Sequence, residues 1–173
     1  MNIDRLKHTD HDPWHWQTVV SADVPEMVTL TDQNYLLPGE DIIVRRNPTK
    51  LHYELHRGIL AQHYESNQLI TVARNNVTQK IQAWTWLVRG QYTVYSDEEI
   101  AQAAFCHADL TLPVRTRIRL VAQMIQQWIF WCELKQIPVL ASTSIRSRQA
   151  GFMRLHESFG FEVRGDSAYR RIL

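Results

Sequence analysis

Only two of the 173 residues are cysteine, Cys106 and Cys132. That is too few for a disulfide-stapled scaffold and points to a reducing, cytoplasmic setting. No apolar run is long enough to span a bilayer, so neither a transmembrane helix nor a membrane partner is expected. The opening residues Met1–Asp10 contain no apolar core followed by small residues, so no secretory leader is expected there. Internal repeats and low-complexity tracts are also missing, which argues against solenoids and disordered linkers.

What is present fits one packed domain over residues 1–173. Hydrophobic residues make up 45% and charged residues 21%, enough apolar surface for a core in a chain of this length. The net charge of +1 is unevenly spread: −5 over residues 1–112 and +6 over 113–173. A basic final third suits a phosphorylated cofactor, nucleic acid or an acidic protein, and it equally suits neutralisation between the two halves across the fold.

Residues 1–45 read as an irregular arm that carries a first strand and a short helix. His8–Trp16 is polar and aromatic and is broken by Pro13; Pro25–Tyr35 starts with a proline that suits the first helical position. Asn47 before Pro48 is an N-cap followed by proline, and Leu51, Leu55 and Ile59 follow at helical spacing, predicting a helix over about 48–66 with Gly58 as a weak point. Leu69–Arg74 and Ile81–Val88 read as strands around a turn at Asn75 and Asn76. Ala103–Leu112 reads as another strand, with Phe105, His107, Asp109 and Thr111 on one face and Cys106, Ala108, Leu110 and Leu112 on the other.

The clearest helix follows Pro113. Ile118, Val121, Ala122, Ile125, Trp128, Ile129 and Cys132 form one stripe, with Arg117, Gln123, Gln126 and Gln127 opposite; Phe130 and Trp131 widen the stripe toward a deep contact. Ile137–Thr143 reads as a short strand, Ile145–Arg148 as a basic loop, and Ala150–Phe159 as a helix ended by Gly160 in the left-handed conformation, with Phe161 folding back. Phe161–Val163 and Ala168–Leu173 read as a closing strand pair. The order predicts an α/β (α+β) fold: a mixed, mostly antiparallel sheet of six to seven strands with helices on both faces.

This order, with a long helix after a strand and a later helix ending in Phe159, Gly160 and Phe161, resembles the Gcn5-related N-acetyltransferase (GNAT) superfamily over about residues 47–173. The resemblance implies that acetyl-CoA lies in a gap between the fourth and fifth strands. Its pyrophosphate would meet backbone amides over Val114–Leu120, where the fourth strand runs into the long helix over Arg117–Leu134. The stretch matching the family's Arg/Gln-x-x-Gly-x-Gly/Ala pattern is Arg115, Thr116, Arg117, Ile118, Arg119 and Leu120, so Ile118 and Leu120 stand where the family has small residues. The loop is thus a degenerate form of the pattern, with Arg115, Arg117 and Arg119 available as phosphate partners. Gln149 takes the place of an asparagine that touches the cofactor arm. His156 takes the place of the tyrosine that protonates the departing thiolate. Asp109 or His107 would serve as base, and a backbone N–H near Leu110–Leu112 would hold the oxyanion.

The implied activity is acetyl transfer from acetyl-CoA to a small-molecule or protein amine. Two alternatives stay open. One is a GNAT fold without catalysis, serving an assembly partner as some tailed-phage virion proteins do; it would place the protein in host cytoplasm or virion, and Trp14–Trp16 and Phe130–Trp131 would suit its interface. The other is nucleic-acid modification or binding through the basic third. His8, His11 and His15 with Asp10 and Asp12, and His52 and His56 with His63, have ligand chemistry without a metal-motif spacing, so no metal is expected. Cys106 reads as core. Asn76, Val77 and Thr78 form a sequon with nothing to direct its use. Tryptophans 14, 16, 84 and 86 read as core aromatics rather than base-stacking platforms.

Overall fold

The computed structural model describes residues 12–36, 45–143 and 150–163. In chain order these form β1 (Trp14–Thr18), α1 (Val24–Tyr35), α2 (Pro48–Tyr64), β2 (Gln68–Asn75), β3 (Ile81–Thr93), β4 (Ser96–Ala108), α3 (Val114–Lys135), β5 (Val139–Ser142) and α4 (Ala150–Glu157). The strands lie side by side in the order β1-β2-β3-β4-β5. The first four pair antiparallel, and β5 joins β4 in parallel.

Local signals set several boundaries. Asn47 Oδ1 accepts the Lys50 N–H at 2.9 Å, so the Asn47–Pro48 start of α2 is a true cap. Asn75 Oδ1 accepts the N–H groups of Val77 and Thr78, both at 2.9 Å, and closes the β2–β3 turn. Gly160 adopts φ +83°, and the Phe161 N–H returns to the His156 carbonyl at 3.2 Å.

Alternation in the strands splits the interior into two cores. Ile70, Val72, Ile81 and Trp84 face α1 and α2 and pack with Val24, Met27, Leu55 and Ile59. Ala73, Ala83, Leu87, Ala101 and Ala103 face α3 and pack with Leu120, Ile125, Trp128 and Cys132. Each large apolar side chain so buried contributes roughly 1.5–3 kcal/mol. The indoles do not leave donors stranded: Trp84 Nε1 donates to Thr31 Oγ1 at 3.0 Å and Trp128 Nε1 to Thr85 Oγ1 at 2.8 Å. Gly58 sits where α2 touches the sheet; a Cβ there would lie 2.7 Å from Trp86 Cζ2 and 2.8 Å from Ile70 Cδ1. The residue that weakens the helix is the one that lets it dock.

Four expectations need correction. Five strands form among the described residues, not six or seven: residues 161–163 are coil, and the remainder of the closing pair lies outside them. β4 ends at Ala108 rather than Leu112, because Asp109 turns the chain. Gln123 is buried, not outward: its Oε1 accepts from Trp14 Nε1 at 2.8 Å and Trp16 Nε1 at 2.7 Å, and its Nε2 donates to Asp12 at 2.8 Å. Of the two aromatic residues expected to make a deep contact, Trp131 is buried and Phe130 is exposed.

Candidate active site

The site grows out of one irregularity in β4. Phe105 pairs with Trp86, but Ala103 pairs with the next residue, Leu87, so Ala104 is an extra residue on β4. Such a bulge bends its strand. At the same point β5 runs out: Ile100–Ala103 pair with Val139–Ser142, and no further pairs follow. From Ala104 to Ala108, β4 keeps β3 on one edge and has no strand on the other among the described residues. Among the described residues, the pairing of the two parallel strands stops at Ala103 and Ser142.

The turn after β4 is tied down by its own atoms. The Asp109 N–H donates to the Gln82 carbonyl at 2.8 Å, and the Leu112 N–H to the Asp109 carbonyl at 3.2 Å. Asp109 Oδ1 accepts from the N–H and the hydroxyl of Thr111 at 2.9 and 2.8 Å. The Leu110 N–H donates to Asn34 Oδ1 at 2.9 Å. The amides of Leu110 and Leu112 therefore already have acceptors, and neither is free to hold an oxyanion.

Pro113 then starts α3 without capping it, having no side chain that accepts a hydrogen bond. The helix begins at Val114, so Arg115–Leu120 is not a loop but its first two turns. The amides of Val114, Arg115 and Thr116 precede the first helical bond, which runs from the Arg117 N–H to the Pro113 carbonyl at 3.1 Å. Uncapped amides at the end of a 22-residue helix present a partial positive charge. Arg115 is exposed here, and Arg117 keeps a buried Nε with no acceptor. Arg119 is engaged elsewhere: its guanidinium pairs with Asp12 and lies 5.3 Å from the centre of the Trp14 ring. Ile118 is a surface residue, and Leu120 is fully buried in the core beneath α3.

The two histidines singled out by sequence sit on opposite sides of the sheet. His107 faces α1 and is buried. The Asn34 amide donates to the Leu30 carbonyl at 2.9 Å and to His107 Nε2 at 3.1 Å, which leaves the ring proton on Nδ1. Burial pushes the His107 pKa down to about 4, against a smaller opposing pull from Asp109. The ring is neutral and its accepting nitrogen is occupied, so His107 braces the turn and is not placed to take a proton. Asp109 follows β4 rather than sharing a strand face with His107. His156 packs against Phe152, Phe161 and Trp128. Its Nδ1 donates to the Phe152 carbonyl at 2.9 Å, and its Nε2 is buried without a partner. Burial lowers the pKa of His156, with that backbone bond opposing. In this tautomer Nε2 carries no proton to give. Gln149 lies outside the described residues.

Among the metal-like clusters, His15 bonds Asn76 Oδ1 at 2.8 Å and the His52 and His56 rings stand edge to face at 4.7 Å; His8 and His11 lie outside the described residues. No three candidate ligands gather among the described residues, and no described helix is long and apolar enough to cross a membrane. Burial holds the Cys106 thiol up at about 12, which makes it inert. Sequence reasoning missed Asn34, whose two partners outside α1 are 73 and 76 residues away and leave no local trace. It also missed a pocket between α1 and α2 that lies on Phe105, within the unpaired half of β4.

Neither protein-family models nor curated protein sequences give a significant match. Solved structures do. An aminoglycoside 6'-N-acetyltransferase from Acinetobacter baumannii superposes with a TM-score of 0.65 at 15% identity, covering 92% of this chain and 98% of that one. A coenzyme A complex of another aminoglycoside N-acetyltransferase gives 0.67 at 13%, covering 92% and 94%. Glucosamine-6-phosphate N-acetyltransferase from Arabidopsis thaliana gives 0.65 at 9%, covering 92% and 99%. In its strand order and its long helix α3, the chain shares the fold of the Gcn5-related N-acetyltransferases.

Proposed function

We propose that the protein transfers an acetyl group from acetyl-CoA to an amine. The carrying observation is the continuity of two features: the half of β4 that β5 leaves unpaired runs, through one turn, into the uncapped start of α3. The first offers a strand edge to the amide-bearing arm of the donor. The second offers amides and a helix end to its pyrophosphate. Arg115, exposed on the first turn of α3, and Arg117 supply charge. Glycine is not required for this, because helical amides at the first turn are free whatever the side chain.

The reaction joins the amine nitrogen to the acetyl carbon and breaks the carbon–sulfur bond. The amine loses a proton and the thiolate gains one. We assign the proton acceptor to Asp109, which follows the open half of β4 and uses only Oδ1 for Thr111. An amide on the free edge of Ala104–Ala108, rather than that of Leu110 or Leu112, would hold the oxyanion. With its Nδ1 proton on the Phe152 carbonyl, His156 supplies no acid from Nε2, so the thiolate takes its proton from water.

Calorimetric titration with coenzyme A tests the reading. Binding should raise thermal stability, by about 2.7 kcal/mol at a hundredfold excess over Kd. No heat, together with an unchanged melting temperature at millimolar ligand, overturns it. Asp109→Asn should lower turnover and leave coenzyme A affinity intact.

A second reading, a GNAT-fold assembly component without catalysis, draws on the tip of the β3–β4 hairpin. Tyr92, Val94 and Tyr95 are exposed there, beyond the last β2–β3 pair at Gln68 and Val88. It gains support if coenzyme A does not bind and the protein forms a stable assembly through that tip.

A further inference from the structure

We infer that the pocket between α1 and α2 holds the acceptor and selects an amine that also carries an anionic group beside an apolar body. This rests on reading the β4–α3 cleft as the acetyl-donor site. The pocket is a recess of about 100 Å³ that opens widely to solvent. Its floor is Phe105, stacked on Trp84 at 4.2 Å with the rings 6° from parallel. Because Phe105 belongs to the unpaired half of β4, a molecule lying on it is beside the cleft.

The charges on the walls decide the chemistry. Asp32 is the one carboxylate among the described lining residues, and Arg46 already pairs with it. Arg45 lines the same pocket and makes no ion pair among the described residues. Thr31 is spent, donating to the Met27 carbonyl at 2.8 Å while accepting from Trp84. Among the described residues of these walls, a polycationic acceptor finds no uncompensated carboxylate. A carboxylate or phosphate finds a guanidinium, whose fork matches it. Phe105 and Leu51 offer the apolar body a flat surface. The likeness to aminoglycoside acetyltransferases therefore does not carry their acceptor with it.

The test uses probes that isolate the anion: L-phenylalanine, phenethylamine, which lacks only the carboxylate, and kanamycin as a polycation. Binding is read from tryptophan fluorescence, since Trp84 lies directly under Phe105. L-phenylalanine should bind at least about tenfold more tightly than phenethylamine, a difference of about 1.4 kcal/mol. Arg45→Gln should reduce that ratio to near one with coenzyme A affinity unchanged. Equal affinities, a preference for phenethylamine or kanamycin, a ratio that survives in Arg45→Gln, or no binding of any probe at about 10 mM each overturn the inference. Coenzyme A titration reports on the donor cleft alone, so a chain that keeps the ratio but fails to bind coenzyme A loses the transferase reading and keeps the anion-selective pocket.

Discussion

The two halves of β4 are one strand with two fates. Ile100–Ala103 is bonded on both edges, to β3 and to β5. Among the described residues, Ala104–Ala108 is bonded on one. Alanine content does not separate them, since each holds two alanines. One extra residue at Ala104 and a fifth strand only four residues long do. A closed stretch is held by backbone ladders, whereas an open one must be held by something else. Here that is Asn34, which spans from α1 to His107 and to the Leu110 N–H.

Removing Asn34 should therefore break the open half first and hardest. Asn34→Leu leaves a buried imidazole nitrogen and a part-buried amide without partners. Each such group costs roughly 1–3 kcal/mol, so a loss of about 4 kcal/mol is expected in urea denaturation. A loss under about 1 kcal/mol would show that the turn is held by Asp109 and Thr111 alone.

His107 turns the same comparison into a dependence on pH. Its pKa is about 4 in the folded protein against an ordinary 6.5, so below 6.5 the unfolded chain binds the extra proton. The stability that neutral His107 confers is complete above pH 6.5 and is lost as pH falls toward 4, by about 3 kcal/mol at most. His156 adds a change of the same sign. His107→Gln should flatten the slope between those pH values without abolishing it. An unchanged slope would mean that His107 titrates alike in the folded and the unfolded chain.

Much of this frame is legible in the chain because its causes are local. The stripe through Ile125, Trp128 and Cys132, the Asn47–Pro48 cap and the Gly160 stop all sit within a few turns of what they specify. What is illegible is set from afar. Gln123 looks like a surface residue by periodicity, yet Trp14 and Trp16 arrive from more than a hundred positions away to bury it. Asp109–Leu112 keeps the alternation of a strand, but the Asp109 carboxylate folds back on Thr111 and stops it. Ser96–Gln102 is too polar to read as a strand, and it becomes one because β3 extends beside it. The bulge at Ala104 is a property of register, which no window of sequence contains.

The smallest effect is the most direct view of the open half of β4. Hydrogen exchange resolved by residue should show the free-edge amides of Ala104–Ala108 exchanging about tenfold faster than those of Ile100–Ala103 that bond to β5, because only the latter must wait for a strand to part. The amides that bond to β3 are the internal control, since that ladder runs through both halves. Coenzyme A should slow the free-edge set and leave the control unchanged, since a bound arm replaces the missing strand. Equal exchange in the two halves before ligand would mean that the edge is covered. Slowing of both sets together would reflect general stabilisation. Only the selective pattern makes the parting of β4 from β5 a binding site rather than a place where the sheet ends.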